Sequence, residues 1–195
     1  MFRHVIDKDE INKLKVRHFE GEIKVVDSMD AIHEAMKEIR KFHALGFDTE
    51  TKPVFKKGKK HNISLIQISN HEVAWLFRVN ITGIPDALKR LLEDEAYLKI
   101  GVSLHDDMLR LRRLIDFSPN GFLDLQKYTE AFQIESKSLK KLVAIVLGFK
   151  ISKSQQMSNW EADVLTEQQQ RYAATDAWVS LKIYEKLRSS LNQYQ

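Results

Sequence analysis

The sequence predicts an α/β fold in which helices pack on the faces of a mixed β-sheet. Strand-like runs come first and in the middle of the chain, helical periodicity dominates after residue 104, and two neighbouring strand-like runs can form an antiparallel hairpin. The chain has 195 residues, of which 43% are hydrophobic and 30% charged. This size and composition suit one globular domain with a sizeable core.

The composition excludes several classes of protein. There is no cysteine, which excludes disulfides, thiolate chemistry and zinc sites that contain cysteine. No apolar run approaches the roughly 20 residues that span a membrane, and the N-terminus does not resemble a secretory signal, so we expect a soluble cytoplasmic protein with no membrane partner. The net charge of +4 is compatible with a polyanionic partner such as nucleic acid.

The first elements are predicted as follows. Residues 1–21 are expected to form an N-terminal extension, and residues 22–195 a single domain. The run EIKVVDS at 22–28 is typical of a strand. Ser28 or Asp30 can cap the helix that follows, because both side chains accept hydrogen bonds from first-turn amides. That helix has an apolar face formed by Ile32, Ala35, Met36 and Ile39.

The rest of the chain continues the alternation of strands and helices. ALGFDTE at 44–50 is the next strand, and the runs 62–70 and 72–80 are predicted to pair in antiparallel fashion through a tight turn. A helix at 86–94 and a strand at 98–103 follow. Later helices are predicted near 104–115, 124–133, 138–148 and 166–190, the last one starting with a capping box of Thr166 and Gln169.

Two acids end the strand ALGFDTE. Residues two apart in a strand share a face, so Asp48 and Glu50 lie on the same side as Ala44 and Gly46. The small residues leave space over the carboxylates that a ligand could fill. The alternative is a strand end at which both acids are solvated, and this stretch alone does not decide between the two.

A third acid interrupts the apolar pattern of the helix at 104–115. Its apolar stripe consists of Leu104, Met108, Leu111 and Ile115. Asp107 lies within this stripe, where an unpaired charge is costly, so we expect a basic group or a metal ion beside it. Asp106 lies off the stripe, four residues before Arg110, as in an exposed helical ion pair.

A fourth acid, Asp176, lies on the apolar face of the last helix, one turn after Tyr172. One interpretation is an acid at the helix edge that is hydrogen-bonded to the tyrosine. A functional acid is favoured, because Ala173 and Ala177 leave room beside it.

These four acids therefore stand where the apolar pattern predicts burial. If Asp48, Glu50, Asp107 and Asp176 are all ionised, two divalent cations balance their charge. Hard oxygen ligands of this kind suit Mg²⁺ or Mn²⁺ rather than zinc.

Three acidic motifs give the chain a family resemblance. FDTE, GVSLHDDMLRL and YAATDA, in this order, resemble the three exonuclease motifs of the DEDD superfamily of 3′–5′ exonucleases. The likeness is greatest to the ribonuclease D group and to the exonuclease domain of the Werner-syndrome helicase. It extends over residues 22–190 and includes NISLIQIS and SLKKLVAIVLGFKISKSQQMSNW. It implies a ribonuclease-H-like fold with a mixed sheet flanked by helices.

The resemblance also implies the branch of the family. Tyr172, four residues before Asp176, is typical of the tyrosine branch. One departure is Ser103, which stands where many members have an asparagine, four residues before Asp107. This departure leaves the acids intact and affects only the expected contacts with substrate.

The resemblance implies a two-metal hydrolysis of phosphodiester bonds from a free 3′ end, releasing 5′-nucleoside monophosphates. It implies that Asp48 bridges both ions, and that Glu50 and Asp176 hold the ion that binds the attacking water. It further implies that Asp107 supports the second ion through water, and that the hydroxyl of Tyr172 orients the attacking water.

Weaker signals suggest contacts with substrate. The segment KPVFKKGKKH at 52–61 could bind the phosphate backbone or be a solvated hairpin loop. His105 could touch substrate, although we favour an exposed helix residue. Trp160, in SNW at 158–160, is expected to pack in the core rather than stack on a base. The candidate phosphate-binding lysines are Lys56, Lys57, Lys59 and Lys60.

The leading hypothesis is a metal-dependent 3′–5′ exonuclease, with DNA favoured over RNA as its substrate. Alternatives are ribonuclease D-like processing of RNA 3′ ends, a catalytically idle nucleic-acid-binding module on the same fold, and a small-molecule phosphatase or nucleotidase that uses the same acids. Loss of an acid would favour the idle module, but the four acids and the tyrosine are all present.

Overall fold

A computed structural model describes residues 2–54 and 61–191 of the chain. In this part of the chain, one mixed sheet contains the strands β1 (Glu22–Val26), β2 (Ala44–Thr51), β3 (Ile63–Ser69), β4 (Val73–Phe77), β5 (Leu98–Gly101) and β6 (Phe122–Asp124). Their order is β1-β4-β3-β2-β5-β6. β3 pairs in antiparallel fashion with both β2 and β4, and the other neighbours are parallel. The predicted α/β fold with a mixed sheet is confirmed.

Helices connect and cover the strands. They are α1 (Lys8–Lys13), α2 (Met29–Ile39), α3 (Val79–Thr82), α4 (Asp86–Glu93), α5 (Leu104–Leu114), α6 (Leu125–Tyr128), α7 (Leu139–Leu142) and α8 (Glu167–Leu191). A 3₁₀ turn at Thr129–Phe132 follows α6, and a π-helical turn at Val143–Leu147 follows α7. The helix predicted near 124–133 is thus an α-helical turn followed by a 3₁₀ turn, and the one near 138–148 is an α-helical turn followed by a π-helical turn. The spacing of apolar residues alone does not distinguish these helix types. None of the described helices has the length and apolar character that crossing a membrane requires.

Several predicted strands end earlier than expected, and the run 22–28, for example, ends at Val26. The run 72–80 leaves the sheet after Phe77. The buried Arg78 follows, and α3 begins at the next residue, Val79. The run 98–103 ends at Gly101, because Ser103 adopts a left-handed conformation with φ 60° and ψ 37°. α5 starts directly after this residue, so the turn at Ser103 aims the first turn of α5 and its acids.

The predicted helix caps are present. The Ser28 hydroxyl accepts a hydrogen bond from the Ala31 amide over 3.2 Å and caps α2. Thr166 and Gln169 form the predicted reciprocal pair, with amide-to-side-chain distances of 3.0 and 3.2 Å. The four apolar residues that were predicted for one face of α2 are all buried.

The sheet has a core on each face. One core lies under α2, α4 and α5, and the other lies under α8 and the π-helical turn. α8 packs against β2, β3, β4 and β5 and so crosses the middle of the sheet.

Residues before β1 are docked on the α8 side of the sheet. Val16 forms a parallel bridge with Lys150, and the Phe19 amide donates to the Thr175 hydroxyl over 3.0 Å. The division of the chain between residues 21 and 22 stays a prediction.

Candidate active site

Three of the predicted acids meet where β2 faces α8. Asp48 and Glu50 lie on one side of β2, and Asp176 comes from the buried face of α8. One carboxylate oxygen from each lies within 4.8 Å of the other two. Residues more than 120 positions apart in sequence thus form one acidic cluster, which is close enough for a shared cation.

Gly46 allows α8 to come this close to β2. A Cβ atom at position 46 would lie 1.9 Å from the Ala177 carbonyl oxygen, next to Asp176. The expectation that the small residues of β2 leave open space for a ligand is therefore wrong at Gly46. The space is filled by the backbone of α8, and this close packing brings Asp176 to Asp48.

Asp107 lies beside the cluster. The charge of Arg110 acts on its carboxyl, in line with the expected basic group, but its hydrogen-bond partner is a residue that the sequence did not predict. Its Oδ1 accepts a hydrogen bond from the Thr49 hydroxyl over 2.7 Å. The sequence predicted a basic group or a metal ion, and it did not point to Thr49, which stands between the two cluster acids in sequence but projects from the opposite face of β2, toward α5. Because Thr49 alternates with Asp48 and Glu50, only the packing of α5 on β2 reveals this contact.

The neighbouring Asp106 is exposed, as predicted. No Asp106–Arg110 ion pair within 4 Å forms in residues 2–54 and 61–191, so that expectation is wrong. The Arg110 guanidinium instead donates to the Thr51 hydroxyl over 3.3 Å.

The acids have raised pKa values because they are buried together. Burial, followed by the charges of Asp176 and Asp107, holds the pKa of Asp48 well above its usual range. Burial, followed by the charges of Asp48, Asp176 and Asp107, raises the pKa of Glu50 to about 10. Burial raises the pKa of Asp176 to about 7 and that of Asp107 to about 6. The cluster therefore has too little positive charge around it to keep all its members ionised.

A divalent cation fits this arrangement. The donor set consists of carboxylate oxygens, which Mg²⁺ and Mn²⁺ prefer. Oδ1 of Asp176 is buried and has no hydrogen-bond partner among the described residues. A buried carboxylate oxygen left without a partner is costly, and a bound cation would satisfy it.

Tyr172 lies one helical turn from Asp176. Together with Asp48, Glu50 and Asp176 it lines a cleft at the surface of the chain. Burial, followed by the charges of Asp176 and Glu50, raises the pKa of its hydroxyl, so the group stays protonated. Its ring centroid is 6.0 Å from that of Trp160, which is fully buried. The predicted core position of Trp160 is confirmed, and its indole supports the tyrosine ring.

The acids open into a cleft of about 290 Å³. Lys153 lines this cleft and lowers the pKa of Asp176, against the effect of burial. This lysine was missed from the sequence, because nothing in its local pattern sets it apart from other surface lysines. Further polar residues at the cleft are Ser103, Ser138, Lys140, Ser152 and Gln156.

Asp124 was also missed from the sequence. Its carboxylate accepts hydrogen bonds from the amides of Ser103 and Leu104, over 3.2 and 2.9 Å. It thus caps α5 from the end of β6 and stabilises the left-handed Ser103. Asparagine adopts this conformation more readily than most residues, so the asparagine that the family resemblance leads one to expect here would suit the same turn. A signal was present, since Asp124 ends a short apolar run just before a helix.

The structure describes only some of the residues that the sequence suggested as contacts with nucleic acid. His105 is exposed in the first turn of α5. Lys52 pairs with Glu161 over 3.0 Å at the start of the lysine-rich segment. The four other lysines, Lys56, Lys57, Lys59 and Lys60, lie outside the described residues, and their role stays a prediction.

The sheet order and the acidic cluster define a ribonuclease-H-like nuclease fold. Residues 23–192 match the model of a 3′–5′ exonuclease family, so the chain belongs to the 3′–5′ exonuclease family. This confirms the family that the three acidic motifs predicted.

Relatives agree with this assignment. The chain is 38% identical over 149 residues to the mouse protein described as bifunctional 3′-5′ exonuclease/ATP-dependent helicase WRN, covering 73% of this chain and 11% of that protein. It is 32% identical over 160 residues to exonuclease 3′-5′ domain-containing protein 2 of Drosophila melanogaster, covering 80% of this chain and 27% of that protein. The chain thus spans about a quarter or less of the length of these relatives.

Solved structures show the same fold. The Nibbler EXO domain of Aedes aegypti superposes with a TM-score of 0.81 at 27% identity, over 93% of this chain and 94% of that domain. Ribonuclease D of Escherichia coli, described as an exoribonuclease involved in structured RNA processing, gives a TM-score of 0.72 at 25% identity. That match covers 87% of this chain and 46% of the ribonuclease.

Proposed function

We propose that this chain is a metal-dependent 3′–5′ exonuclease that hydrolyses the terminal phosphodiester bond of a nucleic acid and releases 5′-nucleoside monophosphates. The observation that carries the proposal is the meeting of Asp48, Glu50 and Asp176 within 4.8 Å, with Asp107 held beside them by Thr49. A cluster of acids this buried is unfavourable without cations, which supports a role in binding them.

The residues would divide the work as follows. Asp48, Glu50 and Asp176 would hold one ion, and Asp48 with Asp107 would support a second. Two such ions would supply an activated water and would stabilise the leaving 3′ oxygen. The protonated Tyr172 hydroxyl would orient the attacking water by hydrogen bonding, since its raised pKa makes it a poor base at neutral pH.

Within this function we propose DNA as the favoured substrate. The support is the greater likeness of the segment before Trp160 to Werner-type exonuclease domains, together with 38% identity to the WRN relative. RNA is the second candidate, because ribonuclease D of Escherichia coli shares the fold at 25% identity.

The experiment follows the length of labelled nucleic acids. A 3′-recessed DNA duplex, single-stranded DNA and a structured RNA are incubated with Mg²⁺ or Mn²⁺, and with EDTA as the metal-free control. We expect stepwise shortening from the 3′ end with DNA, and no shortening in EDTA. The substrate that shortens fastest identifies the preferred class.

Two variants are the controls for the site. Asp48→Ala and Asp176→Ala should abolish shortening while keeping the circular dichroism spectrum of the folded chain. Full turnover by either variant in Mg²⁺ would contradict the site. Binding without shortening by the unaltered chain would indicate an idle binding module, and release of phosphate from mononucleotides alone would indicate a phosphatase.

A further inference from the structure

A second, larger concavity lies outside the acidic cleft. It is a groove of about 820 Å³ between the segment at residues 13–17, the turn at 146–149 and the C-terminal half of α8. A smaller depression joins it at Arg17 and also includes Arg171. We call the two together the basic groove, and its cations are Lys13, Lys15, Arg17, Arg171, Lys182 and Lys186.

The basic groove adjoins the acidic cleft. The smaller depression shares Arg17 with the larger one, and it shares Tyr172 and Ser152 with the cleft that holds the acids. Six α8 residues of the groove are spaced three, four or seven positions apart, so they lie along one stripe of the helix and the groove follows the helix axis. This stripe consists of Gln168, Arg171, Thr175, Lys182, Lys186 and Ser189.

The charge in the groove is not balanced from within it. Among residues 2–54 and 61–191, no carboxylate lies within 4 Å of any of the six cations. Glu185 also lines the groove, but it is bound to His71 over 2.7 Å. Glu167 lines the smaller depression. With six cations against two acids, the groove favours an anionic ligand.

Aromatic rings support two of the cations. The Arg17 guanidinium lies 5.8 Å from the centre of the Phe149 ring, and the Lys182 ammonium lies 5.1 Å from that of Trp178. Phe149 and Trp178 are themselves stacked, with ring centres 6.2 Å apart. Because these contacts restrict long side chains, less conformational entropy is lost when the cations bind an anion.

One wall of the groove is built from residues that precede the family match, which begins at residue 23. The backbone fixes this wall, since the Lys150 amide donates to the Lys15 carbonyl and the Arg17 amide donates to the Lys150 carbonyl, both over 2.9 Å. The segment is therefore docked in place, with its cations facing those of α8 across the groove.

We propose that the basic groove binds the phosphate backbone of the nucleic-acid strand whose 3′ end occupies the acidic cleft. The proposal rests on the proposed exonuclease function and extends it to the upstream part of the substrate. The position of the groove beside the acidic cleft, with Ser152 and Tyr172 lining both the smaller depression and the cleft, favours the substrate strand over an unrelated anion. The charges alternate with apolar surface, as suits a backbone that is bound without reading its sequence.

The length of the groove determines how many nucleotides we expect it to bind. Lys186 lies fourteen positions after Tyr172 in α8, which corresponds to about 21 Å at the helical rise of about 1.5 Å per residue. At a rise of about 3.4 Å per nucleotide, this distance spans about six nucleotides, and fewer if the strand is extended. A trinucleotide would therefore reach little of the groove, whereas a dodecamer would fill it.

The test compares neutralised groove variants with a matched control. Lys182→Gln/Lys186→Gln removes two charges from α8, and Lys13→Gln/Arg17→Gln removes two from the opposite wall. The control, Lys41→Gln/Arg112→Gln, removes two exposed charges associated with helices on the other face of the sheet. Melting temperatures of all three variants establish that they fold.

Binding of a single-stranded dodecamer is measured in EDTA, where no turnover occurs, as a function of salt. Each groove variant should lower the slope of log Kd against log salt by about 1.4 and weaken binding about tenfold or more at about 0.1 M salt. With Mg²⁺, the KM for the dodecamer should rise similarly, while kcat/KM for a trinucleotide stays unchanged. The control variant should match the unaltered chain in every assay.

The outcomes separate this proposal from the exonuclease function. If the groove variants bind the dodecamer as the control does, the groove proposal is wrong, whatever the activity. It is also wrong if those variants lose binding only to vesicles of anionic phospholipid. If the unaltered chain shortens no substrate, the proposed function fails, and the dodecamer binding in EDTA still decides the groove.

Discussion

Thr49 donates a hydrogen bond from its hydroxyl to Oδ1 of Asp107 over 2.7 Å, joining β2 to the first turn of α5. The two residues lie 58 positions apart in the sequence. Thr49 stands between two acids of the cluster, so one strand supplies two candidate metal ligands and the side chain that orients a third. This makes Thr49 a positioning residue in the proposed mechanism.

Replacing Thr49 by valine should lower kcat about tenfold or more, because a hydrogen bond to a charged group contributes about 1.5–3 kcal/mol. The Mg²⁺ concentration for half-maximal activity should also rise, since Asp107 is no longer held in place. Single-turnover assays across a Mg²⁺ titration measure both effects. Thr51→Val is the control, because Thr51 is on the same strand and contacts Arg110 rather than an acid. Equal loss in the two variants would contradict a specific role of Thr49.

The metal-free chain should become less stable as the pH rises from about 4 to about 8. The pKa of Asp176 is raised to about 7 and that of Asp107 to about 6 in the folded state. The folded chain therefore holds more protons than the unfolded chain in this range, and the stability present at low pH is lost as these groups ionise. Thermal melts in EDTA across this range measure the change.

Two comparisons test the cause of this pH dependence. Asp48→Asn removes one ionisable carboxyl from the cluster, so in EDTA it should be neutral or stabilising at pH 8, and its melting temperature should depend less on pH. Added Mg²⁺ should raise the melting temperature most at high pH, where the acids are ionised. A large loss of melting temperature for Asp48→Asn in EDTA would argue against a repulsive cluster.

Removing the Tyr172 hydroxyl should slow hydrolysis without unfolding the chain. Tyr172→Phe keeps the ring against Trp160 but leaves the attacking water without its proposed partner. We expect kcat to fall about 100-fold or more, with a smaller change in substrate binding. Tyr184→Phe is the matched control on α8, because Tyr184 packs against Tyr128 rather than at the acids. Similar activity of both variants would remove Tyr172 from the mechanism.

Enlarging Gly46 should separate α8 from β2. In Gly46→Ala, the new methyl group meets the Ala177 carbonyl oxygen at 1.9 Å unless the helix moves. We expect a loss of about 1–3 kcal/mol in the free energy of unfolding and a larger loss of activity per folded molecule, because Asp176 moves with the helix. Denaturant melts and assays on the same samples measure both.

Gly83→Ala is the control for this substitution. Its methyl group meets no atom within 4 Å, although the φ of 66° makes the change strained. It should therefore lower stability while leaving activity intact. Full activity of folded Gly46→Ala would show that the close packing does not position Asp176.

The sequence by itself determined five of the six strands of the described sheet, the main helices and the four acids, but it did not predict β6, which is only three residues long. These features follow from local rules: alternation in strands, apolar stripes on helices, capping side chains, and charged groups where burial is expected. It also placed Trp160 in the core and predicted the family, because the three acidic motifs are each short and contiguous.

Tertiary structure alone decided which groups meet. Thr49 reaches Asp107, Asp124 caps α5 from another strand, and the Gly46 surface is covered by α8 rather than left open. Each of these contacts joins segments far apart in sequence, so no local pattern encodes it. The basic groove arises in the same way, because its cations lie on two segments more than 150 residues apart and become one surface only when the N-terminal segment docks beside α8.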